Sequence, residues 1–216
     1  MNQQVNVYYM YCPKESRTAG TYHKYQQKLA DKILNHGLIN MFGIDGTGKI
    51  IEKGKYGKPY LKDMEQYQYN ISNTDGMVVC AVSDGTVGID VEKKKDFHQR
   101  ILRKCASSLE TAYILETEDR KCQAERFFRL WTLKESYIKM TGEGMRVPLK
   151  EVEFRISEKG TNADVRENAQ IICSKEGKFY QKEQGEYWIA LCTREEVTVR
   201  WIPVFLNEMS EIQQIC

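Results

Sequence analysis

The most restrictive feature of the chain is a run of six consecutive apolar residues, Met77-Val78-Val79-Cys80-Ala81-Val82, leading straight into the turn signature Ser83-Asp84-Gly85. A short unbroken apolar run bounded by turn residues has no polar side to leave in water, so it reads as a buried strand. Thr86 to Glu92 has strand character as well, and two such runs around one turn predict a hairpin.

The other elements follow from periodicity. Val5-Asn6-Val7-Tyr8-Tyr9-Met10 reads as a first strand. Thr21 to Asn35 reads as a helix, because Tyr25, Leu29 and Ile33 recur every four residues and Gly37 stands where a helix would stop. Lys24, Lys28 and Lys32 form a second stripe on it, a solvated face or an anion site. Gly43 to Gly57 is rich in turn signals. Residues 93–106 read as a basic, helix-like connector, and helices are expected near Leu109 to Glu118 and from Ala124 to Met140, the latter ended by Gly142 and Gly144. Val152, Phe154 and Ile156 alternate as a strand, residues 157–178 are polar and irregular, and Tyr187 to Cys192 and Val197 to Val204 close the chain as strands. This order predicts an α+β fold. The content on either side of residue 95 is similar, which suggests two halves, 1–95 and 96–216, with a site in the cleft between them.

Composition narrows the function. With 216 residues, 41% hydrophobic and 29% charged, the chain is long enough for one large or two small globular domains. Lys and Arg number 32 against 30 Asp and Glu, a net charge of +2, too balanced for a protein whose whole surface grips a nucleic-acid backbone. The balance hides a patch: residues 92–104 hold six positive and two negative side chains, a net +4 suited to an acidic partner. The seven cysteines are odd in number, widely spaced and without a C-x-x-C pair, which argues against a zinc site or a disulfide framework. No leader and no membrane-length apolar stretch is visible, so a cytoplasmic protein without membrane contact is expected.

Three segments carry candidate chemistry. In Gly88-Ile89-Asp90-Val91-Glu92, two carboxylates at i and i+2 share a strand face, where a hard cation such as Mg²⁺ would relieve their repulsion. Read alone, they are also two ordinary acids at a strand end. In Trp131-Thr132-Leu133-Lys134-Glu135-Ser136-Tyr137-Ile138-Lys139, Glu135 and Lys139 are spaced i, i+4 on one helical face. They suit a surface ion pair, or a base or metal ligand beside a phosphate-binding cation. Tyr69-Asn70-Ile71-Ser72-Asn73-Thr74 reads as a polar turn that offers donors to an anion, or as a plain loop.

Taken in order, these segments resemble the 4'-phosphopantetheinyl transferase superfamily, most closely the monomeric type that activates surfactin synthetase. Gly88-Ile89-Asp90-Val91-Glu92, then Trp131 to Lys139 about forty residues on, then Gly142-Glu143-Gly144, match that family's pattern. Tyr56-Gly57-Lys58-Pro59 and Asn70-Ile71-Ser72 match two further segments, so the clear resemblance spans residues 56–148. It implies a pseudo-twofold α+β fold and transfer of phosphopantetheine from coenzyme A to a serine of an acyl or peptidyl carrier protein, releasing adenosine 3',5'-bisphosphate. It implies that Asp90, Glu92 and Glu135 bind Mg²⁺, that Glu135 takes the serine proton directly or through a metal-bound water, and that Lys139 neutralises a phosphate. Lys134 would assist or lie in solvent. Lys58 and Pro59 would contact the adenine end, Ser72 and Asn73 the pyrophosphate, and Lys24, Lys28 and Lys32 the 3'-phosphate. The family usually has His where this chain has Asn73, which cannot become cationic.

Two other readings remain at this level. A metal-dependent nuclease would use Glu92 with Lys94 and an upstream Asp75 or Asp84, but leaves the Trp131–Lys139 segment unused. A degenerate, non-catalytic binder of coenzyme A or carrier protein would have Asn73 as its mark.

Overall fold

The computed structural model describes residues 3–14, 17–157 and 170–205. In chain order the elements are β1 (Gln3–Cys12), α1 (Ala19–Phe42), β2 (Ile51–Lys53), β3 (Pro59–Leu61), β4 (Gln68–Thr74), β5 (Gly76–Ser83), β6 (Val87–Lys93), α2 (Leu102–Cys105), α3 (Ser108–Leu115), α4 (Arg120–Thr141), β7 (Phe154–Ser157), β8 (Gln170–Cys173), β9 (Lys178–Gln184), β10 (Tyr187–Thr193) and β11 (Val197–Pro203). The mixed α+β class is as expected.

Two sheets lie face to face, one ordered β11-β1-β5-β4 and the other β6-β10-β9. Burial of both faces explains why β5 reads as continuously apolar and β1 nearly so, Asn6 apart. Tyr8, Met10, Cys12, Val78, Cys80 and Val82 pack under α1 with Leu29, Ile33 and Leu38. Val5, Val7, Tyr9, Met77, Val79 and Ala81 face the other way, against Val87, Ile89, Val91, Ile189 and Leu191 of the second sheet. A third cluster joins Trp188 and Ala190 of β10 to Phe127, Leu130 and Leu133 of α4. The order of layers is therefore helix, sheet, sheet, helix.

The expected hairpin of β5 and β6 is not formed. β5 pairs with β1 and β4, and β6 pairs with β10, so the turn at Ser83–Gly85 carries the chain from one sheet to the facing one. The last strand likewise leaves its neighbour: β11 runs parallel to β1, with Val5 opposite Val199. Both moves bury apolar faces between sheets, which a hairpin in one sheet would leave to a single layer.

Gly37 does not stop α1. The helix continues to Phe42 and is capped by Gly43 in the left-handed region at φ 69°. Gly37 is instead where the helix touches the sheet: a Cβ there would lie 2.8 Å from Val82 Cγ2 and 3.0 Å from a Tyr8 ring carbon. α4 ends at Gly142, as expected, at φ 71°. Tyr69 to Thr74 is not a turn but most of strand β4, and the basic connector is helical only from Gln99 to Cys105. Of the stretch 157–178 expected to be irregular, residues 158–169 lie outside the described residues, β8 falls inside it and pairs with β7, and the polar strand β9, which pairs with β10, begins at its last residue. Six cysteines among the described residues are free thiols. No helix among the described residues is long and apolar enough to cross a membrane.

Candidate active site

The site lies where the edges of β4 and β6 meet under α4. β6 is paired on one side with β10, and on its other side β4 meets it through side chains. Asn70 Oδ1 accepts the Ile89 N–H at 2.8 Å, and Ser72 Oγ accepts the Val91 N–H at 3.4 Å. Thr74 completes the row by donating its hydroxyl to Glu92 Oε2 at 3.3 Å. Residues 70, 72 and 74 share one face of β4, so the alternation of a strand gives all three the same target.

Asp90 is the buried centre, 5% exposed. Its Oδ1 accepts from Ser72 Oγ at 2.9 Å and from the Lys139 ammonium at 2.6 Å, and Lys139 also donates to Ser72 Oγ at 2.8 Å. Ser72 thus gives its one proton to Asp90 and uses its lone pairs on Lys139 and Val91. Burial pushes the Asp90 carboxyl up from the usual range, against the opposing pull of Lys139. Asp90 Oδ2 is buried with no hydrogen-bond partner. Burial also raises Glu92 and Glu135, and the Asp90 charge raises both further. Glu92 adds to the rise at Glu135, so the three acids form a cluster of negative charge that a cation would relieve.

As they stand, no three His, Cys, Asp or Glu among the described residues could hold a metal ion, so Asp90, Glu92 and Glu135 do not form a ready cage. The donor chemistry nonetheless suits Mg²⁺, which binds through one or two carboxylates and completes its shell with water and substrate phosphate oxygens. The unpartnered Asp90 Oδ2 is an oxygen of that kind.

The structure redistributes several expected roles. Lys139 is ion-paired with Asp90 across the strand–helix junction, not with Glu135 along its own helix. The Lys134 ammonium is neither in solvent nor paired with these acids. It is 2% exposed and pairs at 2.8 Å with Glu110, which is also buried, and donates to the carbonyls of Leu149 and Val152. Glu110 in turn caps α3 through the Ser107 N–H and accepts the Phe154 N–H. The Lys58 ammonium is bound to two backbone carbonyls, of Val87 at 2.8 Å and Met140 at 3.0 Å, and burial pushes its pKa down to about 8. Pro59 follows it at the start of β3.

Asn73 is exposed and donates to Gln26 Oε1 at 3.2 Å. Gln26 was not singled out from the sequence, yet it is 5% exposed and its amide also donates to Thr74 O at 2.6 Å, tying α1 to the end of β4. Its signal was a polar residue inside the apolar stripe of Tyr22, Tyr25, Leu29 and Ile33. Lys24 and Lys28 stand exposed on α1 and Lys32 is half-buried, so Gln26, not the lysine stripe, reaches the cluster's edge. Of the basic segment, Lys93 and Lys94 are paired with Glu186 and Glu183, while Lys95, Arg100, Arg103 and Lys104 are exposed.

Gly88 sets how closely these parts approach. A Cβ there would overlap Met140 N and Ser136 O of α4 and lie 2.7 Å from Met140 Cα. Strand and helix meet backbone to backbone at this point, which brings residues 135 and 139 of α4 within reach of Asp90.

The family model of the 4'-phosphopantetheinyl transferase superfamily matches residues 86–192, which include both β6 and α4. The chain is 28% identical over 182 residues to the 4'-phosphopantetheinyl transferase Sfp of Bacillus subtilis strain 168, covering 83% of this chain and 80% of that protein. It is 30% identical over 150 residues to another 4'-phosphopantetheinyl transferase of Bacillus subtilis, covering 68% and 66%. It is 36% identical over 126 residues to 4'-phosphopantetheinyl transferase gsp of Aneurinibacillus migulanus, covering 58% and 52%. The chain belongs to the 4'-phosphopantetheinyl transferase superfamily.

Proposed function

We propose that this enzyme moves the 4'-phosphopantetheine group of coenzyme A to a serine hydroxyl of an acyl or peptidyl carrier protein, in the presence of Mg²⁺, and releases adenosine 3',5'-bisphosphate. The observation that carries this reading is the meeting of Asp90, Glu92, Glu135 and Lys139 at the β6–α4 junction, with Asp90 Oδ2 left without a partner.

In this reading the serine oxygen forms a bond to the pantetheine-side phosphorus, and the bond from that phosphorus to the bisphosphate breaks. The serine proton passes to Glu135, whose raised pKa makes it a stronger base than an exposed carboxylate. Asp90 and Glu92, with Glu135 beside them, would hold the Mg²⁺. When bound, the ion neutralises charge on the pyrophosphate. Lys139 supplies a fixed positive charge for a phosphate oxygen, held in place by Asp90 and Ser72. Pro59 and the backbone of Lys58 would lie at the adenine end, Asn73 at the pyrophosphate, and the lysines of α1 near the 3'-phosphate. Residues 1–95 would form the coenzyme A side and 96–216 the half that brings Glu135 and Lys139.

The exposed part of the basic segment would receive the carrier. Carrier proteins are commonly acidic, and complementary charge speeds encounter. The test is release of adenosine 3',5'-bisphosphate that depends on both an apo carrier protein and coenzyme A. Glu135→Gln is expected to abolish that release while keeping the fold. Normal turnover in this variant would remove Glu135 from the proton path.

A further inference from the structure

Lys58 joins two backbones that lie far from it in sequence. Its ammonium donates to Val87 O, in the first residue of β6, and to Met140 O, in the last turn of α4. The carbonyls of a helix's last turn have no partner within the helix, and a cation there also meets the negative end of the helix dipole. Lys58 therefore caps α4 from outside while holding the start of β6.

The two carbonyls flank the point of closest approach at Gly88. Three residues past Val87 stands Asp90, and one residue before Met140 stands Lys139. These two are bonded at 2.6 Å, and Glu135 lies one turn further back on the same helix. Any slide of α4 along β6 would stretch the Lys58 bridge and would carry Lys139 and Glu135 away from Asp90 together.

We propose that the Lys58 side chain is a positioning residue: it fixes the register of α4 on β6, and so the placement of Glu135 and Lys139, and does not bind the nucleotide. The proposal rests on the transferase reading above for its kinetic consequence, though not for the bridge itself. It separates the backbone of the Lys58-Pro59 stretch, free to meet a ligand, from an ammonium already spent on the fold.

The test compares wild type, Lys58→Met and Lys58→Arg in steady-state transfer assays with coenzyme A affinity measured by calorimetry. Lys58→Met is expected to lower kcat on the order of 10- to 100-fold, the cost of misplacing reacting groups by a fraction of an ångström to an ångström. The Kd and KM for coenzyme A should stay within about threefold, since uniform binding is untouched. Lys58→Arg, which keeps a charge and two donors, should recover most of kcat. A tenfold or greater rise in Kd or KM with kcat retained would assign the ammonium to the nucleotide and overturn the proposal, as would an unchanged kcat. Should Lys58→Met fail to fold, Lys58→Gln, which keeps an amide donor, is read for the same split. Hydrogen exchange tests the bridge independently of turnover: Lys58→Met should lose protection in the last two turns of α4, and unchanged protection there would overturn it. A wild type that transfers nothing to any carrier would sink the transferase reading alone.

Discussion

The Lys139 ammonium lies 2.6 Å from Asp90 Oδ1, so a single ion pair fastens α4 to the buried acid of β6. Asp90 is 7% exposed in its side chain and Lys139 28%, so the pair is largely withdrawn from water. Removing the cation leaves a buried carboxylate with only a hydroxyl and an amide as donors, beside two further acids. Lys139→Met is expected to cost about 2 kcal/mol of stability in urea unfolding, below the full penalty of a wholly buried pair because Lys139 is partly solvated. Unchanged stability would show that water already screens Asp90.

Lys134 and Glu110 form a second, fully buried pair that joins α4 to α3 and to the start of β7. Lys134→Met should destabilise by about 3–5 kcal/mol, because the Glu110 charge then has no cation. Adding Glu110→Gln should recover part of that loss. If the double variant is no more stable than the single one, the pair is not the cause.

Gly88→Ala should prove costly for a small change. The new methyl meets helix backbone, which cannot rotate aside. Overpacking a core usually costs about 1–3 kcal/mol, and this site should lie at the upper end. Transfer activity should fall further than in Gly20→Ala, where a Cβ meets nothing within 4 Å. Equal effects of the two would contradict the close contact of β6 and α4.

Lys58 gives a pH dependence of stability. Its folded pKa, about 8, lies below the ordinary 10.5 because its ammonium loses hydration. Between those values the unfolded chain holds a proton that the folded one has released, so stability rises with pH by up to about 1.4 kcal/mol per unit. The unfolding free energy of wild type minus that of Lys58→Met should therefore grow from pH 8 to pH 10. Tyr22, Tyr69 and Cys80, raised without any contribution from Lys58, titrate in both proteins and cancel in the difference, while Cys192, the thiol that does interact with Lys58, is pushed up chiefly by burial. A flat or falling difference would contradict the buried ammonium.

Much of the site was legible because its residues come in short, ordered segments. The spacing of Asp90 and Glu92 on a strand and of Glu135 and Lys139 on a helix survives in the fold. What the sequence did not disclose are partners across space. Lys134 and Lys139 are five residues apart, about 140° around the helix, and so serve different cores. Asn70, Ser72 and Thr74 look like a polar loop until β6 is placed beside them, where each answers a group on that strand. Gly37 and Gly142 carry the same local signal, yet one packs a helix on a sheet and the other ends a helix. The pairing of β1 with β11 spans nearly the whole chain, beyond the reach of any local pattern.

The basic segment yields a prediction about recognition. Arg100→Glu with Arg103→Glu, both exposed, should raise the KM for the carrier and leave that for coenzyme A unchanged. Equal shifts for both substrates would place the carrier elsewhere.

The transferase function is tested most directly by the intact mass of an apo carrier protein after incubation with this enzyme, coenzyme A and Mg²⁺. A carrier heavier by one phosphopantetheine, with the shift lost in EDTA and in Glu135→Gln, is the predicted result. No shift across a panel of acyl and peptidyl carriers, with folded enzyme, would contradict it.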